Sequence, residues 1–202
     1  MRAGNRLGDT EITDPHTMRA LAHPVRLSLL DQLRQHGPAT ATELSPKVGA
    51  TPSVTSWHLR HLAGFGLVRD SEPGPDRRAR RWEAVARGFR FEFPADPADA
   101  DGASAARVLS EHLFARAAEL LPRWLEEVEP GLDPAWRRLA GVSNTRVVVS
   151  APELERIADA IEQVLAPYVL RGPDERPAGS RGVRLLRYVL PEAEDEASSP
   201  AS

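Results

Sequence analysis

The sequence of 202 residues contains no cysteine and no long apolar run. The absence of cysteine excludes disulfides, thiolate zinc sites, iron–sulfur clusters and thiol nucleophiles, and it fits a reducing cytosol. No stretch approaches the roughly 20 apolar residues of a membrane span, and the first residues lack the apolar run of a signal peptide. We therefore expect a cytoplasmic protein that contacts no membrane and uses no cofactor.

The motifs that support common enzyme mechanisms are also missing. The chain contains no G-x-S-x-G elbow, no G-x-x-x-x-G-K-[ST] phosphate loop and no H-E-x-x-H metal motif. It offers no nucleophile paired with a base and no close carboxylate pair in a distinctive setting. The sequence therefore predicts a protein that is not an enzyme.

Charge is distributed unevenly along the chain. The whole chain has a formal net charge of −3, whereas residues 17–93 carry +5 and residues 94–202 carry −7. A basic segment suits phosphates, and an acidic segment suits another protein surface or a ligand. The two halves are expected to meet different partners.

Capping and proline signals predict two helices near the start of the chain. Asp14 is an N-cap residue followed by proline at the first helical position. His23 and the proline after it interrupt this helix, and a strongly apolar second helix follows that stops at Gly37. The second helix is expected to be buried.

The next two predicted helices form a helix-turn-helix. Thr40 and Glu43 have the spacing of a capping box, which begins a helix running to about Val48. Thr51 is a second N-cap with proline after it, and it begins a fourth helix that runs to Gly64. Two helices joined by so short a turn containing glycine are typical of a helix-turn-helix.

The fourth helix and the segment after it have the composition of a DNA-binding surface. Thr55, Leu59 and Leu62 form the inward stripe of the helix, and its polar side chains lie on the other side. Residues 67–85 predict a β-hairpin with arginines at its tip, suited to backbone phosphates or the minor groove. The predicted DNA-binding residues are Lys47, Thr51, Ser53, Val54, Ser56, Trp57, Arg60, His61, Arg77, Arg78, Arg80 and Arg81.

Three segments in this order and spacing resemble the ArsR-like family of winged-helix repressors. They are LAHPVRL at 21–27, SVTSWHLRHL at 53–62 and GLV at 66–68, and the resemblance covers residues 17–86. It implies that the fourth helix is the recognition helix, that the hairpin is the wing, and that a homodimer reads a two-fold-related operator. It also implies repression where the operator overlaps a promoter. C-terminal extensions of this kind resemble those of actinobacterial members.

Alternatives to the DNA-binding interpretation exist for the same residues. Trp57 and His58 could be packing residues, and the wing arginines could be a solvated charge run. Metal sensing through His58 with His61, or through Glu111 with His112, lacks the further ligands that a site needs. A winged helix can also serve as a protein-interaction module without sequence-specific DNA binding, although such a module would present apolar anchors instead of a basic face.

The acidic half predicts an assembly and ligand region. Residues 104–128 predict an amphipathic helix that Pro122 kinks or splits, and residues 146–149, 152–165 and 183–189 predict strand, helix and strand. An unidentified small-molecule effector is expected to bind in this half. The predicted dimerisation residues are Met18, Leu21, Val108, Leu109, Leu113, Leu120 and Trp124.

The predicted fold class is α+β: a winged helix-turn-helix followed by a dimerisation helix and a small strand-helix-strand unit. The sequence divides into a flexible N-terminus at 1–13, a DNA-binding domain at 14–93 and an acidic linker at 94–103. A C-terminal region at 104–190 and a disordered acidic tail at 191–202 follow.

Overall fold

The computed structural model of the chain describes residues 6–72 and 79–193. The predicted DNA-binding residues Arg77 and Arg78, and all of the predicted tail after residue 193, lie outside the described residues. The elements are β1 (Asp9–Ile12), α1 (Pro15–Leu21), α2 (Pro24–His36), β2 (Ala39–Thr40), α3 (Ala41–Val48), α4 (Pro52–Gly64), β3 (Val68–Asp70), β4 (Arg81–Ala84), β5 (Gly88–Phe91), α5 (Ala100–Glu127), α6 (Pro134–Arg137) and α7 (Ala151–Val169).

The first four helices begin where the capping signals predict. The Asp14 carboxylate accepts hydrogen bonds from the backbone N–H groups of His16 and Thr17 at the start of α1. The capping box of α3 is complete, because Glu43 N–H donates to the Thr40 hydroxyl and Thr40 N–H donates to the Glu43 carboxylate. These bonds satisfy N–H groups that a helix cannot pair internally.

The predicted wing is confirmed. Strands β3 and β4 pair antiparallel, with Val68 opposite Ala84 and Asp70 opposite Trp82, and the short strand β2 adds to the other edge of β4. Gly66, at φ +68°, turns the chain from α4 into β3. A left-handed backbone of this kind favours glycine, since a side chain would be strained there. The sheet therefore stands directly beside α4.

One hydrophobic core holds helices α1 to α5 and the wing together. Leu21, Leu29, Leu30, Leu59 and Leu62 have no exposed surface, and Trp82 of the wing is 2% exposed. These side chains belong to one cluster that also includes residues of α5. The fold class, a mixed helix and sheet protein with a winged helix-turn-helix and further helices after it, is confirmed.

The prediction of a flexible N-terminus is wrong for residues 9–12. These residues form β1, which pairs parallel with β5, and Ile12 is 2% exposed in the core. The partner strand lies almost 80 residues away in sequence, with Asp9 opposite Gly88. Local patterns do not indicate so distant a pairing, because one short strand carries no information about its partner.

The prediction of a linker at 94–103 is wrong for its last four residues. Helix α5 begins at Ala100, with the Asp99 carboxylate accepting from Gly102 N–H, and Gly102 is buried. A side chain at Gly102 would collide with Pro94 and Asp99. The helix also continues through Pro122 without the predicted split.

The two predicted C-terminal strands are not formed, although the helix between them is. Residues 142–150 and 183–189 form no strand, and Val148 is 85% exposed. A β-branched run favours extended backbone, but a strand forms only against a partner strand, and in the described part of the chain no strand pairs with either segment. Helix α7, Ala151–Val169, agrees with the predicted helix at 152–165.

The chain separates into two compact units, residues 1–170 and 171–202. The first contains all of the helices and strands named above. The second contains one short 3-10 turn at Pro173–Glu175 within its described part. None of the helices in the described ranges has the length and apolar character needed to cross a membrane.

Candidate nucleic-acid interface

Helix α4 is fixed by its inward side. Thr55, Leu59 and Leu62 are fully buried, as the periodicity predicts, and Thr51 caps the helix by accepting from Val54 N–H at 3.4 Å. Gly49, at φ +66°, ends α3 in the left-handed conformation and turns the chain into α4. The short turn and the buried stripe together decide which side of α4 points away from the core.

The outer face of α4, defined here as Ser53, Val54, Ser56, Trp57 and Arg60, is accessible. Four of these residues are exposed and Ser56 is partly exposed. Arg60 forms no ion pair or hydrogen bond with any residue in the described part of the chain. The face therefore offers hydroxyls, an arginine and two apolar side chains, which are the groups that contact base edges in a major groove.

A cluster of rings connects this outer face to the core. The ring centroids of Trp57 and His61 lie 5.5 Å apart with planes inclined by 17°, and those of Trp57 and His58 lie 4.9 Å apart with planes inclined by 75°. His58 is 5% exposed and its ring lies 4.7 Å from that of His23, at the start of α2. Trp57 is thereby held in place by residues anchored beneath it.

Burial and nearby positive charge keep the histidines of this cluster neutral. Desolvation lowers the pKa of His58 to about 4, with further contributions from His23, Arg26 and His61. The pKa of His23 is also lowered, first by burial and then by Arg26. A neutral His23 is needed where it stands, because its Nδ1 accepts a hydrogen bond from Val25 N–H at 3.2 Å and caps α2.

The two predicted wing arginines in the described part of the chain, Arg80 and Arg81, have intramolecular partners. Arg80 binds the Asp70 carboxylate with both its Nε and its Nη2, the latter at 2.9 Å, and its guanidinium lies 4.0 Å above the ring of Trp82. The bond to Arg80 lowers the pKa of Asp70. This arginine is exposed but preoriented along the wing.

Arg81 lies at the base of the wing and faces α3. It donates to the Pro38 carbonyl and to the Glu43 carboxylate, at 3.4 Å for the latter. Its predicted place at the tip of the hairpin is therefore wrong, because β4 begins at this residue and pairs it with Thr40. A backbone carbonyl and a carboxylate compete with phosphate for its guanidinium.

Sequence reasoning missed the acidic partners of the wing and the contact between His23 and His58. The register of a β-hairpin could have revealed Glu83 as the partner of Arg69, since the two residues lie opposite each other and form an ion pair at 2.6 Å. The histidine contact joins different helices, so no local pattern indicates it.

The structure divides the predicted dimerisation residues into two groups. Met18, Leu21 and Leu109 are at most 2% exposed within one protomer. Side chains without exposed surface cannot add contact area with a second copy, so their prediction as interface residues is corrected. Among the remaining predicted residues, Val108 is exposed, whereas Leu113, Leu120 and Trp124 are partly exposed.

Metal-binding geometry is also absent from the described residues, where no three or more histidine, aspartate or glutamate side chains are placed to hold an ion. Glu111 and His112 are neighbours on α5, and His112 Nδ1 is 2.9 Å from the Val108 carbonyl. His58 and His61 contact Trp57 instead of converging on a common point.

In comparisons with known proteins, residues 21–70 match the model of a family described as a helix-turn-helix domain. No curated protein matches the chain. Solved structures that match include the YusO protein from Bacillus subtilis, at 14% identity over 74% of this chain and 79% of that one, with a TM-score of 0.33. NMB1585, a MarR family regulator from Neisseria meningitidis, matches at 18% identity over 71% and 79%, with a TM-score of 0.29. RV1404 from Mycobacterium tuberculosis matches at 18% identity over 74% and 80%, with a TM-score of 0.31.

The geometry and the family match together define the class of the domain. The match begins in α1 and ends with β3, so it contains the α3–α4 pair and the first strand of the wing. The chain contains a winged helix-turn-helix domain, which is the domain of DNA-binding transcription regulators.

Proposed function

We propose that this chain is a sequence-specific, homodimeric DNA-binding repressor of the ArsR-like type. The observation that carries the proposal is the accessible outer face of α4, presented beside a wing whose Arg80 is held in place by Asp70. The first turn of α4, residues 52–54, is exposed. The first residues of a recognition helix contact base edges when the helix lies in the major groove.

The roles of the basic residues differ in this proposal. Arg60 on the outer face reads a base, since a guanidinium can bond guanine O6 and N7 together. Lys47, Arg80 and the arginines of the wing loop neutralise phosphates, which adds affinity without sequence information. Arg81 supports the base of the wing through Glu43 and Pro38, and we assign it a smaller part in DNA binding.

A homodimer is supported by an apolar stripe on the second half of α5. The stripe consists of Phe114, Leu121, Leu125 and Val128, which are between 38% and 58% exposed. Their spacing by seven, four and three residues places them on one side of a helix. We propose that a second copy covers this stripe, and a two-fold-related operator then requires the two α4 helices to lie about one turn of DNA apart.

Effector control belongs to the same proposal. A cavity of about 240 Å³ lies between β1, β5 and the first turn of α5, and its walls include Ile12, Met18, Arg90 and Asp99. The cavity is smaller than the roughly 300–1,000 Å³ of a typical ligand pocket, so we propose for it only a ligand of few atoms with both apolar and charged groups. It lies at the start of α5 and not deeper in the C-terminal region, and a ligand acts from there only if it binds two dimer geometries unequally.

Selection of genomic DNA fragments by the purified chain tests the proposal, followed by titration of each enriched duplex at two salt concentrations. Enrichment of an inverted repeat with half-sites one turn apart is expected, and genes beside it suggest ligands to test for release of the DNA. Weak, salt-sensitive binding with no enriched sequence contradicts the proposal and favours the protein-interaction alternative.

Substitutions test the division of roles on the enriched operator. Arg60→Ala is expected to weaken binding by about 1–3 kcal/mol and to relax the preference at one base pair. Arg78→Ala in the wing loop is expected to weaken binding to all sequences alike and to reduce the salt dependence. Arg123→Ala serves as the control, because Arg123 lies on α5 and pairs with Glu127. Equal, sequence-independent losses from the first two variants would contradict the assignment.

A further inference from the structure

The outer face of α4 contains an apolar pair that hydrogen bonding to bases does not use. Trp57 is 53% exposed and Val54, three residues earlier on the same side of the helix, is 45% exposed. A monomeric surface helix gains nothing by exposing an indole and an isopropyl group together. Their position favours a binding partner that presents an apolar group of similar size.

The indole of Trp57 is held rigid before any partner arrives. It stacks on His61 with ring centroids 5.5 Å apart and lies nearly perpendicular to His58 with ring centroids 4.9 Å apart, and His58 is buried against His23. A ring supported in this way loses little conformational freedom on binding. Rigid support distinguishes Trp57 from an aromatic side chain that is merely exposed.

The major groove of DNA offers one apolar group, the C5-methyl of thymine, among polar base edges. We infer that Trp57, together with Val54, forms an apolar contact surface for the C5-methyl of a thymine in each half-site. This inference rests on the proposed function, since it requires that α4 lies in the major groove. The surrounding charge favours DNA over an apolar protein partner, because Arg60 and Lys47 are both exposed on the same helix-turn-helix.

Replacement of thymine by deoxyuridine tests the inference, since the two bases differ only in the methyl group. Each thymine of the enriched operator is replaced in turn, and the dissociation constant of the full chain is measured at one salt concentration. We expect one or two positions in each half-site at which the loss of the methyl weakens binding about fourfold. At such a position, a 5-methylcytosine–guanine pair is expected to bind more tightly than a cytosine–guanine pair by a similar factor.

Variants assign the methyl effect to the indole. Trp57→Ala is expected to bind thymine and deoxyuridine operators equally, whereas Trp57→Phe keeps part of the difference because a flat ring remains. Arg60→Ala is the matched control on the same face, and it is expected to bind more weakly while keeping the full difference between the two bases. Thermal unfolding of each variant shows whether the fold is retained, and the exposed position of Trp57 predicts that it is.

Three outcomes are distinguishable. Enrichment of an operator together with a methyl effect that disappears in Trp57→Ala supports the inference. An operator at which deoxyuridine costs nothing, or at which Trp57→Ala keeps the methyl effect, overturns the inference and leaves the proposed function standing. Failure to enrich any sequence overturns the proposed function, and the inference with it.

Discussion

Acidification between pH 7.5 and pH 5 is expected to destabilise the fold through His58. Burial and the nearby His23, Arg26 and His61 lower the pKa of His58 from 6.5 to about 4. Its Nδ1 has no hydrogen-bond partner among the described residues. A protonated ring at this position would therefore place an uncompensated charge next to other basic groups.

The direction and size of the effect follow from proton linkage. Below pH 6.5 the unfolded chain binds a proton at His58 that the folded chain rejects, so the free energy of unfolding falls as the pH falls. The contribution of His58 is complete well above pH 6.5, is reduced by about 1 kcal/mol at pH 5.5, and is reduced by about 3 kcal/mol near pH 4. These values are not reduced for screening by solvent, because His58 is only 5% exposed.

Urea unfolding of the wild type and of His58→Leu, at half-unit steps from pH 7.5 to pH 5, measures this contribution. The expected result is a flatter pH dependence in His58→Leu, with the two curves converging by about 1 kcal/mol between pH 7.5 and pH 5.5. Carboxylates titrate almost equally in both proteins and cancel in the difference. His36→Gln, which removes an exposed histidine from α2, is the matched control and should follow the wild type.

Direct titration of His58 by NMR provides an independent check. A His58 pKa near 6.5 in the folded protein, or parallel stability curves for the wild type and His58→Leu, would refute the argument. Either result would mean that the ring is hydrated or finds a partner in solution.

Two further substitutions test how the domain is held together, both by urea unfolding at pH 7.5. Thr40→Ala removes the hydroxyl that accepts from Glu43 N–H and is expected to cost about 1 kcal/mol, and no loss would mean that the capping box is not formed. Leu109→Ala leaves a cavity in the core and is expected to cost about 2–5 kcal/mol. Leu139→Ala, at an 83% exposed position, is its control, and equal small losses would contradict the packing of α5 on the core.

The parts of the fold that were predicted correctly depend on short-range signals. Asp14, Thr40 and Thr51 each begin a helix because their side chains bond N–H groups two or three residues away. The wing was predicted from the glycine turn after α4 and from two short apolar segments, at residues 67–68 and 82–85, on either side of a loop. Each of these features can be read within about ten residues of sequence, and the helix-turn-helix is built from them.

The features that were missed depend on distant partners. The β1–β5 ladder joins Asp9 to Gly88, and Arg81 reaches back to Pro38 and Glu43. Composition showed that Arg81 is basic and that residues 1–13 are polar, but it did not show what they would contact. The candidate site was therefore predicted well on α4, where periodicity decides which residues point outward, and less well on the wing.

The apolar stripes of α5 show why a sequence alone misassigned part of the interface. Leu109 belongs to the core with Ala105 and Ala106, whereas the exposed stripe at Phe114, Leu121 and Leu125 lies one residue beyond the predicted Leu113, Leu120 and Trp124. Both stripes are apolar, and periodicity does not say which one meets its own chain. Only the packing of α5 on α1 separates them.

Helix α5 therefore links the proposed dimer contact to the recognition helix through its own protomer. Its first half packs on α1, and Arg19 of α1 forms an ion pair with Asp101 that lowers the pKa of that carboxyl. Further along, Arg116 donates to Ser28 and Asp31 of α2 at 2.8 Å. Because α1 and α2 both contact α4, a displacement of α5 cannot leave α4 in place unless these contacts break. In the proposed dimer, joined along the second half of α5, the distance between the two recognition helices would thus depend on the position of α5, and under the proposed effector control a ligand in the cavity beside Asp99 would act by displacing α5.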